Sequence, residues 1–210
     1  DGRLYKANDM VKADCGGCNG CSRCCHGMGN SIILDPYDVY RMTTGMGKSM
    51  QELLAASVEL NVVDGVILPN LKMQGTEEAC AYLDEEGRCS IHPYRPGICR
   101  LFPLGRYYEN GGFSYFLQTG ECAKENRSKI KVSKWIDTPD LTRNQQFTLQ
   151  WHDLLHAMEE RLTGEDEGKQ REENLLLLRL FYLLPYEGTI DFYTQFTERM
   201  EHWNGQNGQI

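Results

Sequence analysis

Nine cysteines carry the chemistry that the sequence makes visible, and five of them fall in one run, Cys15-x-x-Cys18-x-x-Cys21-x-x-Cys24-Cys25. A hydrophobic core does not need cysteines packed this closely. Thiolates two residues apart can face one small volume, where Zn²⁺ or an iron–sulfur cluster neutralises their charge. Cys80, Cys89, Cys99 and Cys122 are too scattered to form a second local knuckle, so they read as ligands that the fold delivers from a distance. Five local thiols are one too many for a single four-coordinate site. Adjacent Cys24 and Cys25 project in different directions and suit two neighbouring centres, with eight ligands split evenly and one cysteine left over. Cys15, Cys18, Cys21 and Cys25 reproduce the gaps of one bacterial ferredoxin run, with His26 where proline would stand. Spacing alone does not separate the metals, because both accept four thiolates. The ferredoxin-like gaps favour [4Fe–4S], with zinc as the alternative.

Other chemistry is sparse. His26 and His92 stand beside cysteines and read as neighbours of a centre rather than as ligands. His152 and His156 are four apart, but without the His-Glu-x-x-His pattern they read as helix surface. There is no Gly-x-Gly-x-x-Gly turn, no phosphate-binding Gly-x-x-x-x-Gly-Lys loop and no Gly-x-Ser-x-Gly elbow. The net charge of −8 argues against a non-specific nucleic-acid or anionic-membrane binder.

The elements that must position the cysteines divide the chain in two. Residues 15–125 hold every cysteine and most of the prolines, and residues 130–203 read as helices. The expected fold is mainly α with small β-hairpins, an irregular cysteine-rich metal-binding region packed on a helical C-terminal bundle. Asp35-Pro36 starts a helix that Gly45 or Gly47 stops. Ser49 with Glu52 forms a capping box that opens a helix through about Leu60. Asp64-Gly65 turns one hairpin, and a second joins Arg106–Tyr108 to Phe113–Leu117. Thr138-Pro139 begins a long helix to about Leu162, Glu172 begins one closed by Pro185, and Thr189 or Asp191 begins the last. Glu165-Asp166-Glu167 reads as a loop, and the tail after His202 as frayed. The longest apolar run, Leu175–Leu184, is interrupted by Arg179 and is about half of what a bilayer span needs, so it reads as a buried helix and no membrane partner is expected. No stretch reads as a signal peptide, which makes a reducing cytoplasm the expected compartment, where dense cysteines favour metal over disulfide.

The spacing also resembles a known family. Cys18-x-x-Cys21-x-x-Cys24-Cys25, Cys80-x-x-Leu83, Cys89-Ser90-Ile91-His92 and Arg95-Pro96-x-x-Cys99-Arg100-x-x-Pro103 look like the bacterial YkgJ-type cysteine-cluster proteins, described as zinc- or iron-chelating. The cysteine-rich region of flagellin lysine N-methylase is similar. The resemblance covers roughly residues 15–125. It implies Cys18, Cys21, Cys24, Cys25, Cys80, Cys89, Cys99 and Cys122 as metal ligands. Cys15 is extra and a possible alternative, and His92 stands where the family often has Tyr. Eight thiolates around two zinc ions, or around two [4Fe–4S]²⁺ clusters, retain a net charge of about −4. Arg95 and Arg100 are expected beside them, offsetting that charge and donating N–H bonds to sulfur. Three functions follow as expectations: a metal-binding module, an iron–sulfur-dependent protein-modifying enzyme such as a lysine N-methylase, or a redox or metal sensor that engages a protein partner.

Overall fold

The computed structural model describes residues 2–16, 21–124 and 126–207. Among these, seven α-helices alternate with short strands in four small antiparallel sheets. The first strands, β1 (Leu4–Tyr5) and β2 (Met10–Asp14), lie in a segment for which the sequence suggests no element. Helix α1 (Pro36–Met46) starts at Asp35, and left-handed Gly47 (φ 63°) ends it. Helix α2 (Met50–Ala56) opens with the Ser49–Glu52 capping box but stops four residues short of Leu60. The β-branched stretch Val58, Val62 and Val63 forms strand β3 (Val58–Val63) instead, paired with β4 (Val66–Leu71) across Asp64-Gly65. Both turn residues have positive φ, 50° and 82°, the geometry that closes a two-residue hairpin. Short strands β5 (Met73–Gln74) and β6 (Ala79–Cys80) follow, then the single-turn helix α3 (Gly97–Leu101). The second hairpin is β7 (Leu104–Glu109) with β8 (Gly112–Leu117), and β1 adds to the free edge of β8. Strand β9 (Ser128–Lys131) pairs with β2 and leads into α4 (Val132–Ile136).

The long helix α5 (Leu141–Leu162) is capped by Asp140 rather than Thr138. Helix α6 (Glu167–Leu178) begins five residues before Glu172, because the Asp166 side chain accepts the N–H groups of Gly168 and Lys169. It ends in a π turn over Arg179–Leu183. The last helix, α7 (Phe192–Asn207), runs past His202. Trp203 explains the extension: it is buried against Phe181, ring centroids 6.0 Å apart, and pins the final turns.

Two hydrophobic cores result among the described residues. The larger joins side chains from the α1–β4 segment to α5, α6 and α7. At its centre Phe147 meets Phe196 at 4.8 Å and Phe192 at 5.1 Å, and Phe192 meets Tyr37 of α1 at 5.0 Å. Each such ring contributes about 1.5–3 kcal/mol by leaving water. Tyr182 donates its buried hydroxyl to the Leu34 carbonyl at 3.0 Å, so front and back halves share one core. The smaller core holds Tyr5 and Val11 from the N-terminal strands, Leu104 and Tyr115 from the hairpin, and Val132 and Ile136 from α4. No helix among the described residues is long and apolar enough to cross a membrane.

Candidate metal centre

Backbone pairing assembles the cysteines. Cys24 and Cys25 lie on a 3₁₀ turn, Arg23–Cys25, in which the Cys25 N–H donates to the Ser22 carbonyl at 2.8 Å. The next residues tie that turn to β6: His26 bridges Ala79, and the Gly27 N–H donates to the Glu78 carbonyl at 3.0 Å. Cys80, at the end of β6, is thereby carried to the Cys24–Cys25 pair. A tight turn then returns the chain. Asp84 Oδ1 accepts the Arg88 N–H at 2.7 Å, Gly87 takes φ 71°, and Leu83 bridges Cys89. The following 3₁₀ turn, His92–Tyr94, is held to α1 by the Arg41 guanidinium on the Pro93 carbonyl at 2.5 Å and by the Tyr94 ring lying against Gly45. Cys99 arrives on α3.

These segments enclose a cavity of about 760 Å³ with Cys21, Cys24, Cys25, Cys80, Cys89 and Cys99 on its wall. Ile32, Leu71 and Ile91 from the larger core and Leu104 from the smaller complete the apolar lining, so the cavity sits where the two cores meet. Tyr82 also faces it, its hydroxyl 2.5 Å from Ser57 Oγ. The six wall cysteines carry free thiols. Cys122 is a free, half-buried thiol off the wall, one residue after Glu121, which is on it. Cys15 is half-buried and also off the wall. Cys18 lies outside the described residues.

The two vicinal thiols are hydrogen-bonded to each other, which drives their acidities apart. The hydrogen bond from Cys25 lowers Cys24 to about 6, helped by its backbone N–H and by the Arg95 charge and opposed by burial. The same bond, with burial, pushes Cys25 far up. Burial is the main cause that raises Cys80, Cys89 and Cys99, and on Cys99 the Asp38 charge adds to it. A soft cation that replaces those protons removes the penalty of each buried anion.

Arg95 stands on the wall, its Nη1 3.0 Å from His92 Nε2, and its charge favours thiolate at Cys24 and Cys89. Arg100 is off the wall. Its guanidinium lies 5.9 Å from the Tyr37 ring, near Asp38, and its buried Nε and Nη1 have no hydrogen-bond partner. His26 and His92 are both on the wall. His152 stacks on Tyr108 at 3.8 Å on α5, away from the cavity. Among the described residues no three His, Cys, Asp or Glu side chains already meet as a metal-holding group. The donor chemistry nonetheless fits a soft metal: six cysteines line one cavity, five of them (Cys24, Cys25, Cys80, Cys89 and Cys99) close enough for their charges to interact, and a guanidinium stands beside them.

Spacing alone does not reveal Tyr82, Trp135, Gln118 and Glu121, which also face the cavity. They carry no motif, and only the path of the chain brings them there.

No curated protein and no solved structure matches the chain. The sequence pattern of the CxxCxxCC family, described as "putative zinc- or iron-chelating domain", matches residues 17–132. That span is more than half of the chain and includes every cysteine from Cys18 to Cys122, and the chain therefore belongs to the CxxCxxCC family.

Proposed function

We propose that the protein holds an iron–sulfur centre in the cysteine-walled cavity, with Cys21, Cys24, Cys25, Cys80, Cys89 and Cys99 as its ligand pool and Cys18 and Cys122 completing two sets of four. The observation that carries this reading is the convergence of six free thiols, from four separate stretches of chain, on one cavity between two hydrophobic cores. Three cysteines at two-residue gaps, Cys18, Cys21 and Cys24, with a remote fourth suit the ligand set of a [4Fe–4S] cluster. Arg95 offsets part of the thiolate charge, and the buried Ile32, Leu71, Ile91 and Leu104 give part of the wall an apolar surface, a setting that tunes the potential of a cluster. In this reading the helical back half is the scaffold against which the front half is held.

Zinc remains the second reading, because four of the same thiolates satisfy a tetrahedral ion and Cys24 is thiolate-prone at neutral pH. The test is anaerobic purification followed by elemental analysis for iron, acid-labile sulfide and zinc, with a visible spectrum. Brown protein with iron and sulfide in equal amounts supports the cluster. Colourless protein with stoichiometric zinc moves the assignment to zinc. Protein that takes up neither metal, even after anaerobic loading, overturns metal binding.

A further inference from the structure

We infer that Asp38 is a positioning residue for the metal centre: its buried carboxylate receives the Gly97 N–H and thereby sets where Cys99 stands in the cavity wall. The inference rests on the metal-binding reading above.

Asp38 is 2% exposed and uses both carboxylate oxygens. Oδ1 accepts the Gly97 N–H at 2.7 Å, and Oδ2 accepts the Asp35 N–H at 3.2 Å. The second bond is the return half of a helix capping box. That role alone does not require burial. Glu52 occupies the same third position of α2, makes the same bond to the Ser49 N–H at 2.8 Å, and stays in solvent. Burying a carboxylate costs free energy unless hydrogen bonds and charge compensate it. What sets Asp38 apart from Glu52 is the bond to Gly97, and the Arg100 guanidinium offsets its charge.

The two ends of that bond differ in rigidity. Asp38 belongs to an 11-residue helix whose Tyr37, Val39 and Met42 are anchored in the larger core. Gly97 opens a helix of only five residues, too short to hold its own geometry. Cys99 lies two residues further on. The Asp38–Gly97 bond therefore transfers the fixed position of α1 to the cysteine whose neighbours, Pro96 and Ile98, also face the cavity. Arg100, next along, packs back towards Tyr37 and Asp38, so the turn is gripped from both sides of Cys99.

The experiment compares the full chain with Asp38→Ala and Asp38→Asn, each loaded anaerobically with Zn²⁺ and, separately, with Fe²⁺ and sulfide. Residue-resolved iodoacetamide labelling reads each cysteine, and far-UV circular dichroism reports the helices. In loaded wild-type protein the wall cysteines resist labelling. In Asp38→Ala the expected result is labelling of Cys99 at least about tenfold faster, with Cys24, Cys25 and Cys89 still protected and metal affinity about 10–100-fold lower. Asp38→Asn keeps an oxygen for the Gly97 N–H and restores most of the protection. In the Asp38→Ala background, where the space of the carboxylate is free, Gly97→Pro removes a hydrogen that has already lost its acceptor and should not speed Cys99 labelling further. A further rise would show that the turn is held by something other than the Asp38 bond and would overturn the inference. Equal Cys99 protection in wild type and Asp38→Ala overturns the inference. So does loss of protection at all cysteines together with loss of helix in every variant, since that is a structural role only. A wild type that takes up neither metal overturns the metal reading first, and the inference with it.

Discussion

Replacing Cys99 with serine tests the cavity as a ligand site most directly. Cys99 sits mid-way along α3, and the bonds that hold this turn, the Gly97 N–H to Asp38 and the Arg100 N–H to the Pro96 carbonyl, come from the backbone. Serine keeps them and the side-chain shape while replacing a soft sulfur with a hard oxygen. A structural zinc site is worth about 10–16 kcal/mol over four ligands, so one thiolate accounts for roughly 2.5–4 kcal/mol. At about 1.4 kcal/mol per tenfold change, Cys99→Ser lowers metal affinity by about 10²–10³. The swap itself costs about 1–3 kcal/mol of stability, since burial around Cys99 leaves a serine hydroxyl poorly solvated. The assay is competition for Zn²⁺ against a chromophoric chelator, with iron and sulfide content after parallel reconstitution. Cys15→Ser is the control, because the family match begins at residue 17 and leaves Cys15 out, while Cys18 to Cys122 lie within it. Cys99→Ser protein that binds metal within about threefold of wild type removes Cys99 from the centre and refutes the reasoning from the shared wall.

Three further outcomes are expected. Gly45→Ala should lower stability by about 1–3 kcal/mol, against the usual helix gain from Gly to Ala, because the new Cβ runs into the Tyr94 ring. Thermal melts check it, and in a Tyr94→Ala background the same substitution should no longer destabilise the protein. Asp35→Asn should stabilise the protein at pH 8 but not at pH 4 in urea titrations. Burial, and then the Asp38 charge, hold the Asp35 carboxyl up at about 7. Its stabilising contribution is complete below the unfolded value near 3.8 and is lost as pH rises through about 7, while asparagine caps the helix at every pH. A pH-independent difference would disprove this. Phe147→Ala should cost about 3–5 kcal/mol, since Phe147 is 2% exposed among Phe192, Phe196 and Tyr37. At about 2–4 °C per kcal/mol the midpoint should fall by roughly 6–20 °C, and a fall below about 3 °C would contradict the packing described.

Local signals located several elements well. Asp35-Pro36, Ser49 with Glu52, and Asp64-Gly65 each act within a few residues, so the start of α1, the start of α2 and the first hairpin were readable. The boundaries that failed depend on distant partners. Strand β3 takes Val58 and Leu60 from the expected helix because β4 offers it a full ladder. The tail expected to fray is helical through Asn207 because Trp203 finds Phe181, and residues 208–210 lie outside the described residues. The N-terminal strands carry little pattern of their own and exist only because β8 and β9 present free edges.

The sequence by itself determined which donor types are present: the cysteines at two-residue gaps and the Arg95-Pro96-x-x-Cys99-Arg100 element place the chain in a zinc- or iron-chelating family, since residue type and short-range spacing are properties of the chain. Only the tertiary structure decided which cysteines line one cavity. It joined Cys24 and Cys25 to Cys80 through the His26–Ala79 bridge and put Cys99 on the same wall through Asp38. It also left Arg95 beside the sulfurs and turned Arg100 towards Tyr37. Spacing cannot supply that information, because pairing and burial between remote segments depend on how two cores close around a shared cavity.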